Sequence, residues 1–246
     1  MATAIWGIVV VSVAVAVAVA GLILVQRLVP FSVRESHNAT TATMFGALHV
    51  VYGLMVGFSA FLVADQFDTA QKTVESEAGS VEEIYHLAER QKIQGLTESY
   101  ARTVVEQGWP MMARGRSSER TAEIADELRR GVMGFDPEVG AEQEVYAQGL
   151  TLVQDLDEYR ALRLLEVREG IPDILWVVLL VGAVITTGCT YLFGMRTPGL
   201  HVVMVVAFTI VLVLFTIRAL EYPFDGIVQV GPDAFEELLD KIEAGS

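Results

Sequence analysis

Two residue types are scarce in this sequence of 246 residues, which has one Cys and only 3 Lys among its 17 basic side chains. A single Cys excludes an intrachain disulfide framework and a metal site built from several Cys. Nucleic-acid binding needs a clustered Lys and Arg surface that neutralises phosphates. Because acidic side chains outnumber basic ones by 31 to 17, for a net charge of −14, we expect no nucleic-acid partner.

The short motifs that mark common enzyme classes are also missing. The sequence has no Gly-rich phosphate loop, no His-Glu-x-x-His zinc motif and no Gly-x-Ser-x-Gly nucleophile motif. We therefore expect that the protein is not an enzyme.

Charge itself is absent from long parts of the chain. Hydrophobic residues make up 52% of the sequence and charged residues 20%, with a mean hydropathy of +0.45, so the two kinds are kept in separate blocks. Each apolar block has about 21 residues, or roughly 32 Å as a helix, which matches a hydrocarbon core of about 30 Å. We predict an all-α integral membrane protein with four transmembrane helices, in the blocks Ile5–Val25, Met44–Ala64, Ile174–Met195 and Thr197–Ile217.

The first block has two alternative interpretations. Val and Ala alternate from Val13 to Val19 as in a strand, but a lone strand in lipid would leave its backbone unpaired. Small residues such as Ala16 and Ala18 have the spacing of a signal-peptide cleavage site. The amino end carries no Lys or Arg and the apolar run continues past these points, so an uncleaved helix is favoured over a cleaved signal peptide.

The blocks divide the chain into four parts. Residues 1–64 hold transmembrane helices 1 and 2, and residues 65–170 form an acidic helical domain inserted between the second and third. Residues 171–220 hold helices 3 and 4, and residues 221–246 form an acidic tail with an amphipathic helix. Four crossings place both termini and the domain on one side, and the distribution of basic residues near the helix ends favours the cytoplasmic side.

The inserted domain carries 12 basic and 22 acidic side chains, a net charge of −10. Apolar residues recur there at every third and fourth position, so we expect the second membrane helix to continue past Asp65 and further amphipathic helices to follow. One of these is predicted to stop at Gly108-Trp109-Pro110. Because the apolar stripes are narrow, we expect no large independent core.

The second transmembrane helix carries the candidate pore. At 100° per residue, five side chains share one face, namely Leu54, Phe58, Phe61, Leu62 and Asp65. Beside it lies a flank of small residues of the kind that brings helices together in lipid, namely Gly46, Gly53, Gly57, Ala60 and Ala64. If identical helices surround an axis, the apolar side chains form a hydrophobic constriction with Asp65 at its cytoplasmic mouth. The alternative is ordinary packing of the aromatic rings against another helix or lipid.

A titratable side chain, His49, lies inside the same membrane block. Such a group is a candidate functional residue, because ionisable side chains are costly in lipid. The alternative is a neutral His that forms a hydrogen bond across a helix interface.

Several short phrases, in order along nearly the whole chain, resemble the bacterial bestrophin-like family, long described as a domain of unknown function with four membrane helices. They are Tyr52-Gly53 with Gly57-Phe58, Glu77-Ala78 with Ile84-Tyr85, Trp109-Pro110, Arg160-x-x-Arg163-Leu164, Gly170-Ile171-Pro172 with Leu175-Trp176, and Pro223-Phe224-Asp225-Gly226. The resemblance implies a distant relation to bestrophins, which are pentameric ion channels, mostly anion-selective, with cytoplasmic termini. It implies a multi-pass homo-oligomer, favoured as a pentamer, in the bacterial inner membrane, with the lipid bilayer and small inorganic ions as its other partners.

Two features of the family can be carried over residue by residue. A bestrophin neck is lined by apolar and aromatic residues of the second membrane helix, and the matching positions here are Leu54, Phe58, Phe61 and Leu62. Bestrophins also have a Pro-Phe-Gly phrase followed by acidic residues, which in some members belongs to a calcium clasp. Here Asp225 interrupts that phrase and the acids follow after an insertion, so the candidate calcium ligands are Asp225, Asp233 and Glu236, and no other cofactor is expected.

Charged residues of the domain support one further pair of predictions. Arg160 and Arg163 share one helical face and are expected to form a structural ion pair with Glu77.

An acidic vestibule framed by Asp65 concentrates cations and repels anions, which favours a cation-preferring channel. The rival interpretation is a non-conducting membrane scaffold or sensor that binds a partner through its acidic cytoplasmic helices.

Overall fold

The structure is a computed structural model that describes residues 2–88, 91–134, 141–167, 170–194, 198–225 and 228–245. Regular structure in these residues is entirely helical, which confirms the predicted all-α class. In chain order the α-helices are α1 (Ala2–Leu28), α2 (Phe31–Ser36), α3 (Asn38–Leu87), α4 (Gln91–Thr103), α5 (Trp109–Met112), α6 (Glu119–Met133), α7 (Ala141–Glu166), α8 (Asp173–Tyr191), α9 (Pro198–Leu220) and α10 (Asp233–Gly245), with a π-helical segment at Val104–Gly108 between α4 and α5.

Four of these helices are long and apolar enough to cross a membrane, namely α1, α3, α8 and α9. They overlap the four charge-free blocks, of which Met195 and Thr197 lie outside the described residues. The alternating Val and Ala residues of the first block are helical, because only a helix satisfies all backbone hydrogen bonds of an isolated segment in lipid. Helix α3 has 50 residues and runs on past Asp65 to Leu87, as the apolar periodicity predicts.

The chain folds as two compact units, and unit 1 comprises Met1–Asp65 and Gly170–Glu221. Its first cluster joins α1 to α9, where Ala18 and Leu22 pack against Val203 and Ala207. Its second cluster joins α8 and α9 to α3 through the buried side chains of Ile171, Leu179, Leu214, Ile217 and Val63. Small residues on the inner faces allow these close contacts between helices in lipid.

Polar groups of unit 1 are paired near the ends of α8. The guanidinium of Arg34 is buried and donates from Nη1 to the carbonyl oxygens of Tyr191 and Phe193, each at 3.3 Å. A cation at this position stabilises the negative end of the helix dipole. Near the other end, the indole of Trp176 donates to the buried carboxylate of Glu221 at 2.8 Å.

Unit 2 comprises Gln66–Glu169 and Tyr222–Ser246 and has a core of its own. The expectation that the narrow apolar stripes would not form a large core is wrong, because the tail supplies the side chains that complete it. Buried residues of α3, α4, α6 and α7 pack with residues of the tail, which are Phe224, Val230, Phe235, Leu238 and Ile242. Large aromatic groups in the tail therefore compensate for the narrow stripes of the other helices.

The predicted helix stop at Gly108-Trp109-Pro110 is also wrong. The backbone stays helical from α4 through the π-helical segment into α5, which ends at Met112. Pro110 lies in the first turn of α5, where its missing N–H costs least, and the wider π turn precedes it. The chain then turns at Gly115, whose φ of 68° favours glycine, and α6 begins after Ser118, whose Oγ accepts from the backbone N–H of Thr121 at 3.3 Å.

Candidate functional site

The membrane part of α3 is covered by its own chain on one side only. Tyr52, Ser59 and Val63 are buried, and at 100° per residue they lie between about 140° and 180° from Leu54. The ring of Tyr52 lies against Gly182 of α8, and its hydroxyl donates to the carbonyl oxygen of Leu179 at 3.1 Å. This side of the helix is therefore fixed within unit 1.

The opposite side of α3 carries the five residues predicted to line a pore. Leu54, Phe58 and Phe61 are 72%, 54% and 64% exposed, Leu62 is half-buried, and Asp65 is exposed. In the part of the chain that the structure describes, Asp65 has no ion pair. These side chains thus share one uncovered face, and Phe58 is not buried between helices of the same chain.

The small-residue flank beside this face is open as well. A Cβ atom added at Gly46, Gly53 or Gly57 would meet no atom within 4 Å. The same atom at Gly182 would overlap the ring of Tyr52. Packing within the chain therefore requires a glycine in α8 but none on the flank of α3, which leaves the flank available to a second helix.

His49 lies on the exposed surface of α3, beside an aromatic ring. The centroids of its imidazole and of the Phe45 ring are 4.7 Å apart, and the Phe45 ring makes an edge contact with Phe193 at 5.6 Å. Among the described residues no hydrogen bond joins His49 to another helix of the chain. Both interpretations of this residue stay predictions.

The charged residues predicted to pair in the inserted domain lie in the core of unit 2. Arg163 binds Glu77 through two hydrogen bonds, from Nε at 2.5 Å and from Nη2 at 2.9 Å, and both side chains are buried. The hydroxyl of Tyr100 donates to the same carboxylate at 2.5 Å. Arg160 does not join this pair. Its Nε is buried and has no hydrogen-bond partner.

Electrostatics keep the guanidinium of Arg163 charged. Burial disfavours the ionised form of Arg163, but the charge and hydrogen bonds of Glu77 outweigh it and raise the pKa of Arg163 above its usual value. Burial, followed by the negative charge of Glu77, raises the pKa of Tyr100 well above its usual value. The tyrosine therefore stays a neutral donor, and Glu77 accepts three hydrogen bonds.

Sequence reasoning missed the residues that surround Arg163. Its guanidinium lies 5.3 Å from the ring centroid of Trp109, a cation–π contact, and its Nη1 is in contact with the sulfur of Met112 at 2.6 Å. The indole N–H of Trp109 donates to the carbonyl oxygen of Val230 in the tail at 3.2 Å. In the sequence, Tyr100 is only one position in a helical repeat of apolar residues. These contacts bring together segments up to 121 residues apart, which no local pattern indicates.

The candidate calcium ligands Asp225, Asp233 and Glu236 are all exposed. Within the described residues, which include these three, no group of three or more His, Cys, Asp or Glu side chains is arranged to hold a metal ion. Gly226, which ends the phrase that suggested the site, lies outside the described residues. Calcium binding stays a prediction.

Comparison with known proteins gives one family and one fold. The model of a bestrophin-like domain matches residues 12–235. A crystal structure of a bacterial bestrophin homologue from Klebsiella pneumoniae, carrying a point mutation, has a TM-score of 0.68 at 13% identity, over 95% of this chain and 98% of the other. Two crystal structures described as a membrane protein with a point substitution have TM-scores of 0.69, at 11% identity over 95% and 96% of the two chains and at 12% identity over 93% and 94%. No protein of curated function matches the sequence.

Proposed function

The chain belongs to the bestrophin-like family, and on that premise we propose that it is an oligomeric ion channel of the bacterial inner membrane, with a pore lined by the uncovered face of α3. Its domain and termini lie in the cytoplasm, as the basic residues near the helix ends indicate. The observation that carries the proposal is the exposure of Leu54, Phe58 and Phe61 on a helix whose other side is packed. Three large apolar side chains on one face need a cover, either lipid or the same face of other copies.

The flank of α3 favours other copies over lipid. Gly46, Gly53 and Gly57 present a groove that none of the described residues fills, and small residues in lipid allow backbones to approach closely. If copies contact one another along this groove, the face that carries Leu54, Phe58 and Phe61 is directed toward a common axis. This face lies about 60° to 100° away from the groove around the helix. The resemblance to bestrophins favours five copies around that axis.

Such a ring forms a hydrophobic constriction. Apolar rings of Phe58 and Phe61 hold no water by hydrogen bonding, so a narrow passage between them dewets and closes to ions until it widens. One Asp65 from each copy lies at the mouth of the passage. Because residues 65–170 have a net charge of −10, the passage collects cations and repels anions.

Flux through reconstituted vesicles tests the proposal. Wild-type protein is expected to pass potassium, and Phe58→Ala is expected to raise the flux several-fold because it removes the bulk of the constriction. Phe208→Ala is the matched control, since Phe208 is also an exposed aromatic of unit 1 but lies on α9. Its flux should equal that of the wild type.

The rival function is a non-conducting scaffold or sensor. A monomer or dimer that passes no ions, either as wild type or as Phe58→Ala, would contradict the channel and support the scaffold. Equal increases in Phe58→Ala and Phe208→Ala would show a leak through damaged protein and would also contradict the pore.

A further inference from the structure

A half-open pocket of about 290 Å³ lies on the surface of unit 2, between the turn that follows α5 and the last turns of α7. Its walls include Gly115, Arg116 and Ser117 of the turn and Leu164, Leu165 and Val167 of α7. Two backbone hydrogen bonds hold the turn in place. The N–H of Gly115 donates to the carbonyl oxygen of Met112 at 2.8 Å, and the N–H of Arg116 donates to that of Met111 at 3.0 Å. The pocket is therefore part of the folded unit.

The turn is basic although the domain around it is acidic. Its sequence Arg114-Gly115-Arg116-Ser117 carries two positive charges, whereas residues 65–170 have a net charge of −10. Both arginines are exposed, and among the described residues neither forms an ion pair. Glu119 and Glu166 stand beside the two walls in the sequence, but neither lines the pocket. The carboxylate of Glu166 accepts from the hydroxyl of Thr73 at 3.0 Å. The wall that carries Arg116 is therefore positive and open to an anion.

The opposite wall of the pocket is apolar. Leu165 is 56% exposed although it belongs to the unit rich in charged residues, and Leu164 and Val167 beside it are half-buried. Exposed apolar surface next to an unpaired cation suits a ligand that has an anionic group and hydrocarbon in the same molecule. Inorganic phosphate would use the arginines but would leave the leucines in water. The two walls together therefore favour an anionic lipid over a soluble anion.

The chain connects this pocket closely to the membrane. Val167 stands six residues before Asp173, where the membrane helix α8 begins. Six residues span at most about 20 Å when fully extended. The last turn of α7 therefore stays near the bilayer surface, however the two units are arranged.

We propose that the pocket binds an anionic phospholipid from the adjacent leaflet of the bilayer. Arg116 binds the lipid phosphate, Arg114 adds positive charge beside it, and Leu164 and Leu165 contact the first apolar carbons. Basic residues next to a membrane helix attract anionic lipids in the same way. The proposal rests on insertion of the chain into a membrane and not on ion conduction.

Native mass spectrometry of the full chain in detergent tests the charged wall. The protein is titrated with phosphatidylglycerol or with phosphatidylcholine that has the same acyl chains. We expect phosphatidylglycerol to bind with a dissociation constant at least fivefold lower, and Arg116→Gln to raise that constant at least fivefold. Arg130→Gln is the matched control, because Arg130 is an exposed arginine at the other end of α6 and removes the same charge. It should bind phosphatidylglycerol as the wild type does.

A second pair of variants separates a lipid from free phosphate. Leu165→Asn is expected to weaken phosphatidylglycerol binding several-fold, because it removes part of the apolar wall. Leu162→Asn is its control, since Leu162 is an exposed leucine of the same helix that does not line the pocket. A photoreactive phosphatidylglycerol should label the peptides that contain Arg116 or Leu165.

Four results would overturn the proposal. The first is equal affinity of the wild type for the two lipids, and the second is equal affinity of Arg116→Gln and Arg130→Gln for phosphatidylglycerol. The third is displacement of the lipid by sodium phosphate but not by sodium chloride of equal ionic strength, with no effect of Leu165→Asn, which would show a site for free phosphate. The fourth is photolabelling confined to other segments, as when another copy of the chain covers the pocket. None of these results bears on the flux experiment, so the lipid site and the channel can fail separately.

Discussion

Glu77 and Arg163 form a charged pair in the least exposed part of unit 2, with side-chain exposures of 0% and 2%. Removing two charges from water costs several kcal/mol per ion, and only good geometry with further hydrogen bonds offsets it. Here the carboxylate accepts two bonds from the guanidinium and one from Tyr100, and the guanidinium also contacts Trp109. The pair is therefore stable as a unit and costly to break from one side.

Glu77→Gln tests this statement. The variant leaves the buried charge of Arg163 without its partner, and we expect the free energy of unfolding to fall by about 3–5 kcal/mol. Trp109 lies 5.3 Å from the guanidinium, so its fluorescence reports unfolding of this region in denaturant. Glu98→Gln is the control, because Glu98 pairs with Arg102 at an exposed position and should change stability little. Similar free energies of unfolding for both variants would show that the buried pair contributes no more to stability than an exposed one.

At the scale of single elements, α3 combines a packed side, an uncovered apolar face and an open flank that carries Gly46, Gly53 and Gly57. Gly57→Leu fills the open flank, and we expect it to weaken the contact between copies and lower the oligomeric state. Native mass spectrometry from detergent measures this state directly. Gly188→Leu is the matched control, since Gly188 of α8 is also surrounded by open space. An unchanged oligomer in Gly57→Leu would place the contact between copies elsewhere.

Elements differ in how far their sequence specifies them. The apolar helices could be predicted, because a single charge-free segment of about 21 residues can satisfy its backbone hydrogen bonds in lipid only as a helix. The ion pair between Glu77 and Arg163 could also be predicted, because a charged residue on an otherwise apolar helical face indicates a buried partner. The π-helical segment and the role of Trp109 have none, because they depend on α6 and on a tail far along the chain. The amphipathic pattern of α10 indicates that it has an apolar face, but not that Tyr100 and Trp109 lie beneath it.

At the scale of the whole molecule, charge and hydropathy are segregated along the chain. Of the net charge of −14, residues 65–170 carry −10 and residues 221–246 carry −6, so the remainder is slightly positive. A field of this sign raises the local concentration of cations and lowers that of anions, and salt screens it over about 10 Å at 0.1 M. Selectivity is therefore expected to depend on ionic strength.

Asp65→Asn tests the contribution of the carboxylate to selectivity. The reversal potential in a potassium chloride gradient gives the ratio of potassium to chloride permeability, and we expect the variant to lower this ratio because each copy loses one negative charge at the mouth of the pore. Asp173→Asn is the control, as it removes an exposed carboxylate from the first turn of another membrane helix. A wild-type channel that prefers chloride would refute the charge argument.

Unit 2 is built from two separate segments of the chain, and this has a consequence for biosynthesis. Residues 66–169 leave the ribosome first, but Val230 and Phe235, which pack with Trp109, follow only after α8 and α9 have been made. Until then the nascent chain exposes part of an aromatic core, the kind of surface that chaperones and proteases recognise. Completion of this core therefore waits for the residues that follow α9, and a product truncated after α9 would lack the side chains that cover Trp109.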